Sequence, residues 1–141
     1  MLLTHEQIKI IVKKIESANQ LSIDGKKEES LQEYLNIWNS IPEPKQNQPE
    51  QISNWLIDCI YEEFFDKGDF LSAKEWGLKG LNNDTAKYDS FEYIQMGRVC
   101  YELEEYDEAM KYFDIAYQRG KKRAFKEFDK KYWEFYSKNK K

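Results

Sequence analysis

Tyr93-Ile-Gln-Met96-Gly97-Arg-Val-Cys100-Tyr101, followed by Tyr106, Ala109, Phe113 and Ala116, decides how this chain folds. Apolar or small residues recur at three and four along each run, the spacing that gathers them on one face of an α-helix. Two helices are therefore expected, at roughly residues 85–103 and 106–119, the second stopped by Gly120. Gly97 and Ala109, twelve apart, remove side-chain bulk, so the two backbones can approach closely.

The same periodicity extends outward. Thr4 and Gln7 have the spacing of a capping box, and Ile8, Ile11, Ile15 and Ala18 follow as a helical face before Gly25 breaks the chain. Leu31, Tyr34, Leu35, Trp38 and Ile41 form a second face that ends at Pro42. All three prolines (Pro42, Pro44, Pro49) fall in a polar connector at 42–49, and Pro49 is placed to open the next helix. Trp55, Leu56, Cys59, Ile60, Phe64 and Phe65 mark that helix, and Lys67-Gly68-Asp69 is a tight turn with Asp69 as the next cap. A fourth helix reaches about Leu81 and ends at Asn82-Asn83-Asp84. Phe125, Phe128, Tyr132, Phe135 and Tyr136 predict a last helix over 121–138.

The residues at 93–116 resemble a tetratricopeptide repeat, which spaces Trp, Leu-Gly and Tyr on one helix and Ala and Phe on the next over about 34 residues, with Tyr93 and Met96 standing here for the Trp and Leu. Ile57, Ile60, Tyr61, Phe64, Gly68, Phe70, Ala73 and Gly80 fit a second copy, with Tyr61 where the glycine belongs. Ala18, Leu21, Gly25, Ser30, Tyr34, Ile37 and Pro42 fit a third, weaker one. The resemblance implies an all-α, right-handed superhelix of antiparallel pairs in a single domain: pairs at 4–41, 50–82 and 85–119, plus the helix at 121–138 capping the open end.

Composition agrees with helices. The 141 residues include only two valines and two threonines, so two of the preferred strand formers are nearly absent. A mean hydropathy of −0.89 is polar, yet 8 Phe, 10 Tyr and 4 Trp supply rings that can carry much of the burial. The start Met1-Leu2-Leu3-Thr4-His5-Glu6 has no basic-then-apolar leader and no stretch has the length of a membrane span, so a cytoplasmic protein with free thiols is expected. The net charge of −4 divides unevenly. Residues 121–141 hold nine Lys and Arg against three acids, a charge of +6, and the rest carries −10. The basic, ring-rich end could be a nucleic-acid segment. Its rings share one helical face and its charges the other, which favours a solvated cap.

No catalytic or metal-binding residue and no cofactor is expected. His5 is the sole histidine with no nucleophile at a telling spacing, the cysteines Cys59 and Cys100 stand alone, and no phosphate-cradling glycine loop occurs. In tetratricopeptide repeats the first helix of each pair lines the concave face. The resemblance therefore implies a partner-binding surface of Trp55, Asp58, Glu62, Phe65 and Asp66 from the second pair, with Phe91, Ile94, Arg98, Tyr101 and Glu102 from the third. Asp58, Glu62 and Asp66 lie four apart, a row of like charges that costs a few tenths of a kcal/mol per pair and so is not there for the helix. Some family members clamp a peptide carboxylate with lysines and asparagines on this face, and the acids here argue against that. The expectation is a non-enzymatic module binding a basic protein surface, for example a bacterial immunity protein placing carboxylates where a toxin expects phosphates. A secretion chaperone for an extended client segment is the alternative, with an RNA-binding helical repeat behind it.

Overall fold

The computed structural model describes residues 1–83 and 89–140 and is all-α, with no strand among those residues. Its helices are α1 (His5–Ile23), α2 (Lys27–Ser40), α3 (Ile52–Asp66), α4 (Phe70–Leu81), α5 (Phe91–Glu102), α6 (Tyr106–Gly120) and α7 (Lys130–Asn139). The chain divides into two compact units, Met1–Asp69 and Phe70–Lys141.

In the first unit, α1 opens with the expected capping box. The Gln7 amide donates to Thr4 Oγ1 at 3.1 Å, and the Thr4 amide to Gln7 Oε1 at 2.8 Å. α1 buries Ile8, Ile11, Ile15 and Ala18, and α2, packed beside it, buries Leu31, Tyr34, Ile37 and Trp38. α3 completes the core with Leu56, Ile57 and Ile60, none of which is solvent-accessible. The proline connector is ordered by its polar side chains. Lys45 Nζ donates to the Ile41 and Trp38 carbonyls at 2.7 and 3.1 Å, satisfying the open end of α2. Buried Gln48 donates to the Pro44 carbonyl at 2.6 Å and accepts from the Leu3 amide at 2.9 Å. Pro49 opens a single 3-10 turn, Pro49–Gln51, and α3 proper begins at Ile52.

The second unit packs α4 on α5 and α5 on α6. Asp84 of the expected helix end and residues 85–88 of the helix expected at 85–103 lie outside the described residues, and the helix found begins at Phe91. Gly97 has the predicted purpose: a Cβ built there would fall into the Phe113 ring. After Gly120 the expected continuous helix does not form. A 3-10 helix, Lys121–Phe125, is followed by a bend, and α7 starts only at Lys130, where the Asp129 side chain accepts from the Lys131 amide at 2.9 Å. An N-cap of that kind starts a new helix, which is why one long helix is replaced by two short pieces.

Among the described residues one local pattern occurs three times. α1, α3 and α5 each end in a Schellman motif: the Lys26, Asp69 and Glu105 amides reach back to the Leu21, Phe64 and Cys100 carbonyls at 2.9, 2.9 and 2.8 Å. The left-handed residue is Gly25, Gly68 and Glu104 in turn. Two residues later the next helix begins, and five residues later a small side chain (Ser30, Ala73, Ala109) is wholly buried.

Candidate functional site

The expected partner surface resolves into two sets that the structure treats differently. In the first unit, α3 carries Trp55, Asp58, Glu62 and Phe65 half-buried and Asp66 exposed. Phe65 stacks on the buried Tyr61 with ring centres 5.7 Å apart. A rise of about 1.5 Å per residue spreads the three acids over roughly 12 Å of helix. Beside them Glu63, which its adjacency to Glu62 marks in the sequence as ordinary solvated charge, is instead buried and accepts from Ser22 Oγ at 2.5 Å. Only the tertiary partner on α1 distinguishes it from its neighbour Glu62.

The α3 surface is electrostatically negative. Burial pushes the Cys59 thiol up to about 12, and the Asp58, Glu63 and Glu62 carboxylates push it the same way against a hydrogen bond with Tyr34. Burial likewise raises Tyr34 to about 12, with Cys59 and Glu63 adding to it. Cys100, in the second unit, is raised to about 11, again mainly by burial. Neither cysteine is bonded to another, and neither supplies a thiolate at neutral pH.

In the second unit the residues assigned to a groove face the chain's own C-terminal segment. Ile94 is fully buried, a correction to its expected place on a partner surface. Phe91 lies 6.1 Å from Phe128, and the Arg98 guanidinium sits 4.9 Å from the Phe128 ring centre and 5.7 Å from that of Tyr132. Tyr101 meets Tyr132 and Phe135 edge-on at 5.4 and 5.1 Å. Glu102 accepts from Tyr132 Oη at 2.7 Å and pairs with Lys131 at 2.8 Å. The physical reason is the bend before Lys130. It lets α7 cover Phe113 and Tyr117 of α6, as a cap should, while its Tyr132 and Phe135 also reach α5. Trp133, absent from the expected cap set, packs edge-on against Phe125 at 5.2 Å.

His5 is exposed, with Glu50 at 3.3 Å from its Nδ1. Among the described residues no group of three His, Cys, Asp or Glu could hold a metal ion, and no helix is long and apolar enough to cross a membrane. Comparison with protein-family models, curated proteins and solved structures returns no match.

Proposed function

We propose that this chain is a non-catalytic protein-binding module of tetratricopeptide type that meets a basic partner surface through the acidic face of α3. The observation that carries the reading is the row Asp58, Glu62 and Asp66, which runs to the C-terminal end of a helix whose last turn holds no basic residue. Carboxylates there oppose the helix dipole, and each repels the next, so helix stability did not select them. The half-buried rings of Trp55 and Phe65 beside them are the kind of anchor that dominates interface energies. The threefold recurrence of helix, left-handed turn and buried small residue supports the repeat assignment. Neutralising a toxin with a basic active site is the role this chemistry fits best, because carboxylates can stand in for phosphates.

The test is a pull-down from the native host with the parent chain and with Asp58→Lys/Glu62→Lys. The partner should be basic, should be lost from the double variant by at least about tenfold, and should dissociate as salt rises. Unchanged helical circular dichroism shows that the fold survives. Retention of the same partner by the double variant would assign binding to another surface.

A further inference from the structure

The bend that divides the C-terminal segment does more than build a cap. In the second unit it opens a cleft of about 500 Å3 between the 3-10 helix and α7, with Lys122, Arg123, Lys126 and Lys130 on its rim. All four are exposed, and among the described residues none forms an ion pair. Their neighbour Lys131 shows the contrast, since Glu102 neutralises it at 2.8 Å. One acid, Glu134, borders the same cleft.

The cleft also has aromatic walls. Phe125 is buried, whereas Phe128 and Trp133 keep part of their surface open to it. Lys122 Nζ stands 5.5 Å from the Trp133 ring centre. An adjoining cleft of about 320 Å3 shares Arg123, Lys126 and Phe128 and is bordered by one acid, Glu127. The chain enters through Lys121, held at φ 57° and ψ −155°. That conformation is nearly confined to glycine and costs about 1–3 kcal/mol in other residues, and such strain gathers at functional sites.

A pocket of this size lies in the range that takes small ligands, roughly 300–1,000 Å3. Unpaired cations select an anion, and the Arg123 guanidinium matches the oxygens of a phosphate. Partly open rings add a preference for a planar aromatic group. An acidic peptide would use the charges and leave the rings idle. We propose that this cleft binds a nucleotide unit, with phosphate on the cations and base against Trp133 and Phe128, either as a free nucleotide or within a single strand. The surface is separate from the α3 acids and its test does not depend on them.

The full chain is titrated with a short fluorescein-labelled oligothymidine in low-salt buffer, reading anisotropy and tryptophan fluorescence. Binding should quench a signal that Trp133→Phe removes. Lys126→Glu/Lys130→Glu should weaken binding at least tenfold, and Lys126→Ala/Lys130→Ala should flatten the plot of log affinity against log salt by roughly 0.7 per cation. Lys122→Ala/Arg123→Ala provides a second pair should the reversals fail to fold. Displacement by ATP at comparable concentration identifies a free nucleotide as the ligand, and displacement by unlabelled strand alone identifies single-stranded nucleic acid. The proposal is overturned by no binding at low salt, by parent-like affinity in the folded variants, or by polyglutamate competing as well as ATP and strand with no change in Trp133 fluorescence.

Discussion

At the scale of single residues, Gly97 shows how one missing side chain holds a helix pair together. Phe113 is fully buried and ringed by Phe125, Tyr132, Phe135 and Tyr136, with centres 5.4 to 6.5 Å away. It has no space into which to retreat from an added methyl. Gly97→Ala should therefore destabilise, because overpacking costs on the order of 1–3 kcal/mol while alanine returns only about 1 kcal/mol of helix propensity. The urea midpoint of the variant should fall. A midpoint equal to the parent's would mean that the ring can swing aside. Gly97 was legible because a glycine within a helical run needs a reason, and close approach is the commonest. Ile94 was misread since the family register alone put it toward a groove. Its burial depends on which face α5 turns to its neighbours.

At the scale of elements, two of the three Schellman turns lie inside a unit and explain the helix pairs there. The turns after α1 and α5 each reverse the chain within three residues, so α2 packs on α1 and α6 on α5. Gly25 and Gly68 occupy the left-handed position at φ +83°, and Glu104 takes the same place at φ 63°. A residue with a Cβ is strained there, so Glu104→Gly should raise stability by about 0.5–1 kcal/mol. Chemical denaturation would read this directly, and a loss of stability would mean that Glu104 makes a compensating contact. The two glycine turns were marked in the sequence by their glycines, whereas the third, in Glu-Leu-Glu-Glu-Tyr, was placed only by the helical spacing on either side of it. No residue there announces a positive φ. The split of 121–138 was hidden for a related reason. Its rings keep helical spacing across the bend, and only the local competition won by Asp129 as a cap interrupts the helix.

At the scale of the whole molecule, both units bury neutral acids. Cys59 and Tyr34 in the first unit, and Cys100, Tyr112, Tyr132 and Tyr136 in the second, are all raised, with burial the largest cause in each. The native state therefore holds these protons more tightly than the unfolded chain does. Their contribution is complete below the unfolded thiol value of about 8.5 and is lost as pH climbs toward the folded values. Urea midpoints should fall between about pH 8 and pH 11, and a flat profile would show that these groups stay open to solvent in the folded protein.

The sequence by itself determined the helices, most of their ends and the small residues at their interfaces. Those features follow from spacing and from local caps, which involve neighbours within a few residues. It also showed a −10 body joined to a +6 end. Only the tertiary structure decided which charged and aromatic residues remain available. α7 bends back over α5, so the residues expected to line a groove in the second unit are occupied by the chain itself, while a basic cleft opens beside them. Burial is set by contacts between segments distant in sequence, and no periodicity along one helix reports which neighbour will cover it.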